Sequence, residues 1–158
     1  MADLHELALE ASCGNPAAAD FLVTTVRVLH LWDDLVDRDR PVANEEISHV
    51  FTKVLTELPR NPFFQSHMQT LTPVLLTAIQ NWHIANAVER DIEHDVPHEA
   101  AFVLRSSYVD LVTMTATICG GYEHGVTIGR RVRAFAHREG FKTYLQNLAQ
   151  EKLARDGE

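Results

Sequence analysis

The segment between Asn15-Pro16 and Asp39-Arg40-Pro41 constrains the fold more than any other part of this chain. Pro16 suits the first position of a helix, with Asn15 capping it. Pro41 disfavours helix in the residue before it. Between these signals, Phe21, Leu22, Val26, Val28, Leu29, Leu31, Trp32, Leu35 and Val36 cover most of a helix circumference with apolar side chains. A helix turns about 100° per residue, so Arg27, His30, Asp33, Asp34 and Asp37 share an arc of roughly 120°. A helix that is apolar nearly all round, with one acidic stripe, belongs in the middle of a bundle with its stripe on a cleft.

The rest of the chain reads as further helices. Leu4, Leu7, Ala8 and Ala11 predict a short helix over 3–12, ended at Cys13-Gly14. Asn44 is placed to cap a helix over 45–57, with Glu45 and Glu46 in its first turn. Pro59 and Asn61-Pro62 predict a loop. Thr72-Pro73 reads as cap and first position of a long helix over about 73–94, with 63–71 as a separate turn. Residues 98–119 keep one helical pattern through Phe102, Arg105, Val109, Val112, Ala116 and Cys119. Gly120-Gly121 stops it, and a loop over Tyr122–Gly125 follows. Residues 127–138 and 141–154 form two last helices, or one kinked at Gly140. No stretch alternates as a strand would. The expectation is an all-α bundle of five to seven helices, with residues 1–158 as one domain.

The formal net charge of −8 argues against a broad nucleic-acid-binding surface. No apolar run is long enough to span a bilayer. Cys13 and Cys119 lack metal-ligand spacing and do not indicate a disulfide framework. A cytoplasmic protein is the expectation.

Asp33 and Asp37 are four apart and share a face, with Asp34 beside them. Carboxylates this close repel unless a cation sits among them. Mg²⁺ or Mn²⁺ suits such a set, because hard cations take carboxylate oxygens and keep waters for a phosphate partner. A solvated acidic face and a buried ion-pair network are the other readings. Asp33, Asp34 and Asp37 are the candidate metal ligands. Glu89 or Glu93 on the long helix would face them, with Asp110 and Asp39 as further acids. Asp34, His30 and Glu89 are the candidate catalytic residues. Arg130, Arg131 and Arg133 concentrate basic charge that would meet an anionic group.

Asp33-Asp34-Leu35-Val36-Asp37 resembles the DDxxD motif of class I isoprenoid synthases. The stretch from His30 to Arg40 is similar to the first aspartate-rich region of trans-prenyl diphosphate synthases. The resemblance implies that Asp33 and Asp37 hold Mg²⁺ ions gripping a substrate diphosphate, with Asp34 in support. Asn81, Ala85 and Glu89 have the spacing of the second metal motif of terpene cyclases, with Ala85 in place of its hydroxyl residue. Acidic pairs on neighbouring helices also resemble the all-α nucleotide pyrophosphatases of the MazG and dimeric dUTPase type. The aspartate-rich stretch is similar, too, to small phage-encoded proteins. Together these imply a metal-dependent enzyme acting on a small molecule with a diphosphate or triphosphate. It would be a transferase or lyase, or a nucleotide pyrophosphohydrolase. The alternative is a non-enzymatic helical binding protein whose acidic stripe engages a basic partner. A homodimer fits either expectation, and no membrane partner is expected.

Overall fold

A computed structural model describes residues 4–38, 40–90 and 96–157. It is all-α, with eight α-helices where five to seven were expected, and no strand among the described residues. The helices are α1 (Leu4–Ala11), α2 (Pro16–Asp37), α3 (Asn44–Thr52), α4 (Pro62–Arg90), α5 (His98–Leu104), α6 (Tyr108–Gly120), α7 (Tyr122–Ala136) and α8 (Phe141–Asp156). Among the described residues, no helix is long and apolar enough to cross a membrane.

The start of α2 follows its sequence signals. The Asn15 side chain accepts hydrogen bonds from the Ala17 and Ala18 amides, with Pro16 at the first position. The helix ends at Arg38, which turns into the left-handed region with φ 56°. The N-terminal half of α2 is the centre of the core. Phe21, Leu22 and Val26 pack with Leu7 and Ala11 of α1, Leu71 of α4, Val109 and Val112 of α6, and Ile128 and Val132 of α7. The Phe21 ring lies 5.5 Å from that of Phe64 and 5.9 Å from that of Phe63.

Three boundaries differ from expectation, each for a local reason. The predicted break before Pro73 is absent, and α4 runs unbroken from Pro62 to Arg90. Asn61 is the working cap. Its side-chain oxygen accepts from the Phe64 amide at 3.0 Å, while its amide donates to the Ala17 carbonyl at 2.9 Å. Burial of Phe63 and Leu71 holds the first turns, and Pro73 sits on the exposed face, where water can satisfy the carbonyl it leaves unpaired.

The single helix expected over 98–119 is broken at 105–107 into α5 and α6. Buried Ser107 accepts a hydrogen bond from Asn81 of α4 at 3.0 Å, and Arg105 is held by acids from two other helices. The loop expected over Tyr122–Gly125 is the first turn of α7. Gly121, at φ 86°, both ends α6 and starts the next helix. Antiparallel α6 and α7 then pack closely because glycines face threonines. A Cβ on Gly125 would lie 2.1 Å from Thr117 Oγ1, and one on Gly129 would lie 2.9 Å from Thr113 Oγ1.

The helix expected over 45–57 keeps its helical backbone but changes pitch. After α3 it continues as a π turn over Lys53–Glu57 and a tight turn over Leu58–Arg60.

Candidate functional site

Past Val26, the half-buried aspartates of α2 face the C-terminal half of α4 and the α5–α6 break, and α8 joins through Tyr144 on Glu89. These elements bring Asp33, Asp37 and Glu89 to one place, and the group at their centre is Arg105. Its Nη1 donates to Glu89 at 2.6 Å, and its Nη2 lies 3.3 Å from Asp37 and 3.4 Å from Asp33. The Glu89 side chain is only 5% exposed and also accepts from the Tyr144 hydroxyl of α8 at 2.6 Å. The Trp82 indole N–H donates to Asp33 at 2.6 Å, and Arg90 donates to Asp37 at 2.9 Å. Burial works against the charged form of Arg105, but the fields of Glu89, Asp33 and Asp37 outweigh it and hold the guanidinium firmly protonated. Burial, together with donation to Glu89, pushes the Tyr144 hydroxyl well above the usual phenol range.

A cleft of about 360 Å³ opens beside this network. Asp33 and Arg105 lie on its wall with His30, Trp82, Tyr108 and Glu139. Trp32 packs on Trp82 with ring centres 5.4 Å apart, and His30 meets Tyr108 edge-on at 5.3 Å. Surrounding protein lowers the His30 pKa, although Asp33 and Asp34 pull it the other way. The shift favours the neutral imidazole, the form able to accept a proton. The first turn of α6 contributes Tyr108 to the same cleft and brings the positive end of a helix dipole.

The other anticipated residues sit elsewhere. Asp34 is held by Arg40 at 2.5 Å, and Arg40 also bonds Glu46 at 3.0 Å. Asp34 lines an adjoining open groove with Arg27, His30 and Asp33. Exposed Asp110 pairs with Arg133 at 2.6 Å, away from the carboxylates around Arg105. Arg131 pairs with Glu10 of α1. Arg130 is exposed on α7, and none of Arg130, Arg131 and Arg133 lines the cleft. Asn81 bonds Ser107 and Ala85 is buried, so of the three residues at terpene-cyclase spacing only Glu89 joins the network. Glu93 and Asp39 lie outside the described residues.

Three members of the network were not singled out from the sequence: Arg105, Trp82 and Tyr144. Arg105 carried a usable signal. It occupies a position on an otherwise apolar stripe, and a cation there requires a buried acid. Tyr144 offered none, since its partner is 55 residues away.

The donor chemistry of Asp33, Asp37 and Glu89 suits a hard divalent cation. The arrangement is set by a guanidinium, however. Among the described residues, no three His, Cys, Asp or Glu side chains stand in metal-binding geometry by themselves. Comparison with family models, curated proteins and solved structures finds no match to this chain.

Proposed function

We propose that the protein is a divalent-cation-dependent enzyme acting on a small molecule that carries a diphosphate or triphosphate. One observation carries the reading: carboxylates from two facing helices converge beside a cleft whose wall holds both Asp33 and Arg105. Among the described residues, the three carboxylates and the guanidiniums of Arg90 and Arg105 sum to one net negative charge. A bare phosphate is repelled by that charge, whereas a cation–phosphate complex finds a partner for each of its parts. Asp33, Asp37 and Glu89 would hold the cation once Arg105 moves aside. Mg²⁺ or Mn²⁺ bound there would neutralise charge developing on phosphate oxygens. Arg105, released on the cleft wall beside the first turn of α6, would meet the anion. Neutral His30 would take the proton from water or an acceptor hydroxyl. Asp34, tied to Arg40 in the adjoining groove, is a supporting residue in this arrangement.

A second reading is favoured by a different fact. Each aspartate of the stripe already has an arginine: Asp33 with Arg105, Asp34 with Arg40, and Asp37 with Arg90 and Arg105. On that reading the stripe is a structural network in a non-enzymatic helical protein, with little charge left for a basic partner.

Thermal melting separates the two. The enzyme reading expects Mg²⁺ or Mn²⁺ with pyrophosphate to raise the melting temperature, and Asp33→Asn with Asp37→Asn to abolish the rise. It also expects turnover within a panel of nucleoside triphosphates and prenyl diphosphates. No metal effect and no turnover sinks it in favour of the network.

A further inference from the structure

At the opposite end of the bundle from the arginine network, the two cysteines come together. Cys13 lies in the α1–α2 turn and Cys119 in the last turn of α6. The turn that carries Cys13 is fixed. Its φ is +51°, and its amide donates to the Glu10 carbonyl at 3.1 Å, while the Gly14 amide donates to the Leu9 carbonyl at 3.0 Å. This geometry places the Cys13 sulfur against Gly120, the residue after Cys119. A Cβ on Gly120 would lie 2.9 Å from that sulfur and 2.5 Å from the His124 ring. Neighbouring α-carbons are about 3.8 Å apart, so the Cys13 sulfur is within reach of the Cys119 side chain. The two thiols also feel each other: burial raises the Cys119 pKa, and the proximity of Cys13 raises it further.

We propose that Cys13 and Cys119 form a reversible dithiol–disulfide pair that fastens the α1–α2 turn to the end of α6. Both thiols are free in the described state, Cys13 exposed and Cys119 half-buried. Exposed Cys13 is the residue an external disulfide reaches first. Its thiolate attacks one sulfur of a small disulfide such as oxidised glutathione, releasing one reduced thiol and leaving a mixed disulfide. The Cys119 thiolate then attacks the Cys13 sulfur, closing the internal bond and releasing a second reduced thiol. Two protein thiols are oxidised and one external disulfide is reduced to two thiols. The link joins residues far apart in sequence, so it restricts the unfolded chain over a long loop and stabilises the fold.

The test treats the intact protein with oxidised glutathione, followed by intact mass and non-reducing peptide mapping. The expected product has lost two hydrogens, retains no glutathione, yields one peptide pair joined through Cys13 and Cys119, and melts at a higher temperature. Dithiothreitol should reverse both changes. Cys119→Ser should accumulate the mixed disulfide on Cys13 and show no rise in melting temperature. Wild-type protein that keeps glutathione on Cys13, or that forms only Cys13-linked dimers, overturns the proposal.

Discussion

The two halves of α2 use the same helix in opposite ways. Between Ala18 and Val26 all its side chains except those of Asp20 and Val23 are buried in the core, and Phe21, Leu22 and Val26 are at most 1% exposed. From His30 to Asp37 it carries the acidic stripe, and Trp32, Leu35 and Val36 are each 40% exposed. The first half is held by area removed from water, which is not directional. The second half is held by hydrogen bonds and ion pairs, which require particular partners at particular distances. The core half fixes where the helix sits; the charged half determines what can meet it.

That contrast can be broken at either end. The largest effects belong to the core. Phe21→Ala removes a ring packed on Phe63 and Phe64, and should cost about 3–5 kcal/mol in urea unfolding. A cost much below this would mean that the surrounding helices close over the gap. At the charged end, Glu89→Gln leaves Arg105 short of its most buried partner and should cost roughly 3 kcal/mol. Replacing both residues with Met should recover part of that loss, because Glu89 and Arg105 leave together while Asp37 keeps Arg90 and Asp33 keeps the Trp82 N–H. A double variant no better than Glu89→Gln would show that the network is worth more than its desolvation cost.

A smaller effect should follow from pH. His30 and His137 both have pKa values held below the ordinary 6.5, chiefly by burial, with the Arg133 charge contributing at His137. Among the described residues, neither buried His137 ring nitrogen has a hydrogen-bond partner. As the pH falls through 6.5, the unfolded chain takes up protons that the folded chain resists. Stability is therefore complete above that value and declines below it. His137→Phe should flatten the decline measured from about pH 7 to about pH 5.5. An unchanged slope would place the effect elsewhere. Smallest of all, Arg40→Ala should leave the unfolding midpoint unchanged within error, because Arg40 is exposed to water and screening. A clear loss would make the outer ion pairs part of the scaffold.

What was legible in the sequence follows the same division. The cap and start of α2, the stop at Gly121 and the all-α class depend on local chemistry, and each was readable from neighbouring residues. Pro73 misled because a proline on an exposed helix face is tolerated when its flanks are buried, and the burial of Phe63 and Leu71 comes from contacts distant in sequence. The convergence of Glu89 with Asp33 and Asp37 was anticipated as a pair of facing acids. The cation between them was not, because Arg105 read as one position of a continuous helix. The break at 105–107 that lets it turn inward depends on Asn81, 26 residues from Ser107.

The proposed function requires Asp33, Asp37 and Glu89 to hold a cation in competition with Arg105. Calorimetric titration of Mn²⁺ into wild-type protein and into folded Arg105→Gln tests it most directly. Wild type should bind, and the variant should bind at least tenfold more tightly, an advantage of about 1.4 kcal/mol, lost when Asp33→Asn and Asp37→Asn are added. No binding to either protein, or weaker binding to Arg105→Gln, would contradict it.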